Sequence, residues 1–259
     1  MVKIKIINGV TYLLDPDEQD FPAKVYLEMR RKEGRLYTNE ELLILPDLST
    51  GHPLKKEWNI RKKTAKRLVG YFSKSANKRI LEVGCGNGWL SNIIGTKTNN
   101  KITALDLNEF ELLQGAKVFS DNPNLNFVYG NIFENIFTQS YFDFIILLGS
   151  VQYFRDFDKL ILQLFCHLKK AGEIHILDSN FYSASEIESA QMRTSNYYKS
   201  LNAPEMIQYY YHRNWNELNK YNYSVMNSFK VRVTRYIKRT TGIGRNVFPW
   251  IIIRSNSCR

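Results

Sequence analysis

Apolar positions change period several times along this chain. From residue 80 short apolar runs alternate with helix-like segments, the pattern of a parallel sheet covered on both faces. Strands are expected at Arg79 to Val83, Lys101 to Leu107, Leu125 to Tyr129, Phe142 to Leu148 and Glu173 to Leu177. Between the second and third, Asn108 with Glu111 three residues on is a capping-box signal for a helix running to Phe119. Between the fourth and fifth, Phe157, Leu160, Ile161, Leu164 and Leu168 recur at helical spacing, with Asp156 and Asp158 at the start and Lys169, Lys170 and Gly172 at the end.

The flanks read differently. Residues 1–50 suggest a hairpin around Asn8 and Gly9, an acidic turn at Asp15 to Asp20 and a helix from Phe21 to Lys32. A further helix, Lys55 to Phe72, carries Trp58, Ala65, Leu68, Val69 and Phe72 on one side and leads into the first strand. Beyond the fifth strand, Ser183 to Asn219 reads as two polar, aromatic-rich helices, the second opened by Pro204. Tyr221, Tyr223 and Val225 alternate, and Phe248 to Ile253 is apolar; these two tail segments are expected to pair antiparallel. Lys230 to Arg239 between them fits helix or strand.

Composition adds boundaries. With 259 residues, 44% of them hydrophobic, the chain is long enough for a core of ordinary size. The apolar run Phe144 to Leu148 falls far short of the roughly 20 residues that cross a bilayer, so no membrane span is expected, and no secretory signal is read at the N-terminus. Cys85, Cys166 and Cys258 show neither paired nor metal-type spacing, so no metal is expected and a reducing, cytoplasmic location is. The formal charge of +11 divides unevenly: residues 1–79 carry +7, residues 80–180 carry −4 and residues 181–259 carry +8. Lys55, Lys56, Arg61, Lys62, Lys63, Lys66 and Arg67 form one basic group, and Lys230, Arg232, Arg235, Lys238, Arg239 and Arg245 another. Either could follow phosphates, although a charge run is more often a solvated face.

The segment Ile80 to Trp89, ILEVGCGNGW, ends a strand in an acid and then places Gly84, Gly86 and Gly88 before a helix. Such glycines permit positive φ and close approach of a ligand to backbone. A dinucleotide fingerprint would need a third glycine where Trp89 stands. Asp106 ends the second strand, where a carboxylate can accept from both hydroxyls of a ribose.

Glu82, the G-x-G-x-G turn and Asp106 together resemble the first two motifs of the class I S-adenosylmethionine-dependent methyltransferases, of the bacterial small-molecule type. The resemblance continues through Tyr129-Gly130-Asn131-Ile132 and Phe142 to Leu147 into the Gly149 to Tyr153 loop, and covers about residues 60–255. It implies an α/β, Rossmann-like, seven-stranded and mostly parallel sheet with helices on both faces, an antiparallel C-terminal strand pair and an N-terminal helical cap. Residues 1–59 would be that cap and 60–259 the catalytic domain, with a cap insertion at 181–219.

The cofactor implied is S-adenosyl-L-methionine, with Glu82, Gly84, Cys85, Gly86, Gly88, Asp106, Leu107, Asn131, Ile132 and Gly149 in its seat. Asn131 stands where the family usually has an aspartate; its amide oxygen can still accept from the adenine amino group. Arg61 is a candidate grip for the methionine carboxylate. Methyl transfer is chiefly alignment, and where the acceptor must lose a proton the candidate bases are Tyr153, His52 and His212. The aromatic group Tyr197, Tyr198, Tyr209, Tyr210, Tyr211 and Trp215 suits an acceptor pocket, or simply anchors the insertion. A small-molecule acceptor is the leading expectation. RNA bound by the basic flanks is an alternative, and a cofactor-binding partner subunit without turnover a second. The oligomeric state is not legible.

Overall fold

A computed structural model describes residues 4–15, 23–227, 229, 231, 233–234 and 248–255. In chain order these form β1 (Lys5–Ile7), β2 (Val10–Tyr12), α1 (Ala23–Lys32), α2 (Asn39–Ile44), α3 (Lys55–Phe72), β3 (Arg79–Val83) and α4 (Trp89–Lys97). β4 (Lys101–Asp106), α5 (Glu109–Val118), β5 (Leu125–Tyr129), β6 (Phe142–Leu148), α6 (Phe157–His167) and β7 (Leu168–Leu177) follow. β8 (Phe181–Tyr182), α7 (Ile187–Ser200), β9 (Arg213–Asn214), β10 (Asn222–Val225) and β11 (Ile251–Arg254) complete the described elements.

One sheet runs in the order β1-β2-β5-β4-β3-β6-β7-β11-β10. Its centre, β5-β4-β3-β6-β7, is parallel, and β11 and β10 close one side antiparallel. All seven expected strands are present. The N-terminal hairpin extends them: β2 pairs parallel with β5, Val10 against Phe127 and Tyr12 against Tyr129, bringing the sheet to nine strands among the described residues. Val10 and Tyr12 are buried and Thr11 between them is half-buried, as a strand with one face on the core requires. All three β1 residues are exposed, which makes this pair an edge.

The helices form where the apolar period is helical, with side-chain caps opening α5 and α6. α3 buries Trp58, Ala65, Leu68 and Phe72, while Lys56, Lys62, Lys63, Lys66 and Arg67 lie exposed on its other side. α5 starts at Asn108, whose side-chain oxygen accepts from the Glu111 amide, and α6 at Asp156, which accepts from that of Lys159. Two apolar layers result, one on each face of the sheet: Leu68, Phe72, Leu90, Ile94 and Leu112 in one, Leu160, Ile161, Leu164, Ile174 and Ile251 in the other.

The insertion departs from expectation. Its first helix, α7, is present, but the segment opened by Pro204 is a single short 3-10 stretch, Pro204–Tyr209, followed by β9 pairing with β8. That stretch leads straight into Tyr210, whose extended backbone ends the helical turn and whose ring lines the cavity described below. β7 starts at Leu168, five residues before the expected Glu173, because Leu168 already pairs with Phe142. The second basic group and most of Lys230 to Arg239 lie outside the described residues, as does most of the acidic turn after Asp15. Among the described residues no helix is long and apolar enough to cross a membrane, and no His, Cys, Asp and Glu side chains cluster in a metal-holding group.

Candidate active site

Strand order reverses between β3 and β6, since β4 and β5 step away on one side and β7 on the other. Open α/β sheets leave a crevice at the carboxyl ends of their strands at such a point. Here it is a cavity of about 570 Å³, floored by Gly84 to Asn87 after β3, Asp106 and Leu107 at the end of β4, Asn131 and Ile132 after β5, and Gly149 after β6. α1 and α3 wall it on one side and α7 with Tyr210 on another.

The turn after β3 carries left-handed backbone at Gly84, Gly86 and Gly88, with φ of +74°, +56° and +71°. Gly84 is also packed against the β6 loop: a Cβ there would lie 2.5 Å from that of Ser150, whose hydroxyl donates to the Val83 carbonyl at 2.7 Å. Gly88 caps α4 and abuts the Phe127 ring, where a Cβ would come within 2.4 Å. It does not line the cavity. Its contribution is to hold the turn against the sheet. Trp89, in the place of a dinucleotide fingerprint's third glycine, packs edge-on to Trp58 of α3 with centroids 4.9 Å apart.

Asp106 bridges the two strand ends. One oxygen accepts from the Gly86 amide at 2.6 Å and the other from the Asn108 amide at 2.8 Å. Burial, followed by the nearby Glu111 charge, raises its pKa to about 6 against the pull of those amides. A desolvated carboxylate with lone pairs still open to the cavity suits a vicinal diol. Glu82 is deeper; it accepts from the Ser91 hydroxyl at 2.5 Å, and burial raises its pKa to about 8, so it is protonated at neutral pH. The Cys85 thiol is pushed well above its ordinary value by burial, which keeps it an inert wall. Asn131 accepts the Phe133 amide on its side-chain oxygen at 3.1 Å, an Asx-type turn that fixes the side chain in this loop. With the open turn at Gly86, this donor set fits a ribose-bearing cofactor.

Of the three candidate bases, Tyr153 lines the cavity and His52 and His212 do not. His52 accepts the Leu54 amide on Nδ1 at the entrance of α3, and His212 faces the Thr194 hydroxyl at 2.8 Å, with a pKa lowered by burial. Tyr153 is half-buried, and its phenol is pushed above the ordinary value by desolvation. It therefore stays protonated at neutral pH. Its ring meets Tyr26 and Tyr210 edge-on, each at 6.0 Å, and Tyr210 meets Tyr198 at 6.1 Å.

Arg61 reaches the cavity with its guanidinium held on Glu57 at 2.9 and 3.0 Å. Sequence reasoning missed Tyr26, Arg30, Glu111 and Asp178. Asp178 follows β7 at φ +50°, takes the Thr64 hydroxyl on one oxygen at 2.9 Å, and leaves the other buried without a partner among the described residues. The signal for it was legible: like Asp106, it is an acid at the carboxyl end of a parallel strand. Glu111 was read only as part of a cap. Nothing local singled out Tyr26 or Arg30.

A parallel sheet, a switch-point cavity and a glycine turn joined to an acid on the next strand define a class I methyltransferase. The chain belongs to the methyltransferase domain family, whose model matches residues 74–229, and S-adenosyl-L-methionine is its cofactor. Among curated proteins it is 32% identical over 128 residues to the malonyl-[acyl-carrier protein] O-methyltransferase of Bacillus cytotoxicus, covering 48% of this chain and 44% of the relative. It is 29% identical over 124 residues to the ribosomal RNA small subunit methyltransferase C of Buchnera aphidicola, 45% and 36% of the two chains. The chain thus spans less than half the length of these two curated relatives. The fold is shared with a Methanococcus maripaludis protein assigned to the S-adenosyl-L-methionine-dependent methyltransferases, at TM-score 0.54 and 16% identity over 93% of this chain and 98% of that one. It is also shared with a geranyl diphosphate methyltransferase solved with its diphosphate and sinefungin, at TM-score 0.56 and 11% identity over 76% and 78%.

Proposed function

We propose that this chain methylates a small-molecule acceptor, seated between the tyrosines and the β6 loop, on an oxygen, nitrogen or carbon nucleophile. The observation that carries the reading is the walling of the cavity from two sides: α1 (1–59 acting as cap) and the 181–219 insertion both flank the space beside Gly149 and Tyr153. Such a space suits a compact acceptor better than a duplex. The names of the malonyl-[acyl-carrier protein] O-methyltransferase relatives support a small acyl acceptor.

In this reading Glu82, Gly84, Cys85, Gly86, Asp106, Leu107, Asn131, Ile132 and Gly149 hold the cofactor, with Gly88 fixing the turn behind them. The bound sulfonium supplies an electrophilic methyl carbon. Asp106 holds the ribose and Glu82, uncharged, supports the turn through Ser91. Arg61 faces the methionine carboxylate. Tyr153 orients the acceptor through its hydroxyl, and the aromatic walls exclude water. Alignment of this kind supplies up to about 7 to 11 kcal/mol in favourable intramolecular cases. An acceptor that arrives ionised needs no base.

A second reading, RNA, is supported by the exposed Lys56, Lys62, Lys63, Lys66 and Arg67 of α3 and by the ribosomal RNA methyltransferase relatives. Incubating the purified protein with methyl-labelled cofactor and fractionated cell extract separates the two. Label in small metabolites or acyl carriers is the expected result. Label in RNA supports the second reading, and binding without any label overturns both.

A further inference from the structure

Among the described residues four arginines line the cavity, and they differ in how completely their donors are used. Arg35 grips Glu57 with both terminal nitrogens, at 2.6 and 2.7 Å, and sets Nε on Glu33 at 3.1 Å. Arg61 is held on Glu57 by two nitrogens, and Arg193 donates to the Ser189 hydroxyl at 3.2 Å on the exposed side of α7. Among the described residues Arg30 has only loose partners: Nη2 stands 3.5 Å from Glu111, Nη1 stands 4.0 Å from Glu33, and Nε is buried with none.

The neighbouring acids have better-placed donors elsewhere. Glu111 takes the Asn108 side-chain NH2 at 2.7 Å, and Glu33 takes Arg35 Nε and the Tyr197 hydroxyl. A guanidinium carries five N–H groups in a planar fork matched to a carboxylate or phosphate. Leaving most of them unmatched in a desolvated wall is costly unless something else enters. Arg30 also stands beside Tyr26, its charge 5.8 Å from that ring, and Tyr26 meets Tyr153 of the β6 loop. These two rings would flank a flat, anionic group.

We infer that Arg30 is the seat of an anionic group on the acceptor, a carboxylate, so that this enzyme selects acceptors bearing a free acid beside the methylated position or as that position itself. The inference rests on the reading of this cavity as a cofactor and small-acceptor site. If the carboxylate is itself the nucleophile, an oxygen lone pair forms the new bond to the methyl carbon and the carbon–sulfur bond breaks toward sulfur. An ester and a neutral thioether result, and no proton need be removed.

Malonate is the probe, and its neutral dimethyl ester the control. Calorimetry on protein saturated with S-adenosylhomocysteine should show saturable binding of malonate and none of the ester. In Arg30→Met the malonate dissociation constant should rise at least about tenfold, the loss expected for a charge-assisted pair, while Arg30→Lys retains most of the affinity. Both variants should bind S-adenosylhomocysteine within about twofold of wild type, which also shows that they fold. Unchanged malonate binding in Arg30→Met overturns the inference, as does a matching loss of S-adenosylhomocysteine, which would place Arg30 in the cofactor seat. The malonate and ester comparison on wild type needs no variant, and equal binding of the two also overturns it. Wild-type protein that binds no S-adenosylhomocysteine overturns instead the cofactor reading beneath it.

Discussion

Asp106 offers the most searching test of the site, because one carboxylate is asked to hold both the glycine turn and a ribose. In the free protein its two oxygens accept the Gly86 and Asn108 amides, and its pKa is raised from 3.8 to about 6 by burial and by Glu111. Ribose hydroxyls donate to the ionised form, so binding must pull that pKa down again. At pH 7 the group is mostly ionised and ready. At pH 5, one unit below its midpoint, only about a tenth is, and S-adenosylhomocysteine should bind about tenfold more weakly, a difference of about 1.4 kcal/mol.

Asp106→Asn removes the charge and turns one amide donor toward a backbone N–H. Losing charge-assisted hydrogen bonds worth about 1.5 to 3 kcal/mol predicts an affinity roughly ten- to 150-fold lower at pH 7. The variant should lack the Asp106 part of the slope between pH 5 and 7. The linked effect on folding has the opposite sense: a raised carboxyl pKa contributes stability that is present below about 3.8 and is lost as pH rises through about 6. Calorimetric titration of both proteins at pH 5, 6 and 7 is the assay. A flat wild-type profile, or an identical slope in the variant, refutes the ribose assignment.

The other predictions are simpler. Gly86→Val places a β-branched residue at φ +56° with its Cβ 3.4 Å from Glu111 Oε2, so cofactor binding should be lost while far-UV circular dichroism stays close to wild type; normal affinity would contradict the cradle. Glu82, raised to about 8, costs the wild type stability progressively as pH climbs from the ordinary carboxyl range to about 8; Glu82→Gln should therefore gain on wild type in urea melts between pH 5 and 8 and gain no more above that. Trp58→Ala removes a buried ring stacked edge-on to Trp89 and donating to the Tyr37 hydroxyl, and should cost about 3 to 5 kcal/mol in the same melts. A loss under 1 kcal/mol would mean that α3 is not anchored to the glycine turn through these rings.

The central strands, α3 and α6 were legible in the sequence because each is set by a local pattern: Arg79–Val83, Leu125–Tyr129 and Phe142–Leu148 fall on apolar runs, Lys55–Phe72 on a helical period, and Phe157–His167 on a helical period with a cap at Asp156. The turn at Gly84 to Gly88 and its link to Asp106 were legible for the same reason, since backbone that must turn left-handed at the end of a strand calls for glycine within a few residues. The hairpin at Asn8 and Gly9 was visible too, but not its partner. Alternation says that one face of β2 is buried, and only the assembled sheet supplies β5 to pair with it. The same limit governs the cavity wall. Tyr26 and Arg30, one helical turn apart on α1, stand far along the chain from Glu111 and Asp178, and no spacing rule relates that pair to either acid; their meeting at one strand-end crevice is a property of the order in which the strands lie. Tertiary structure likewise separated Tyr153, which faces the cavity, from His52 and His212, because which side chain turns inward is decided by packing and hydrogen bonding around it rather than by its chemistry alone.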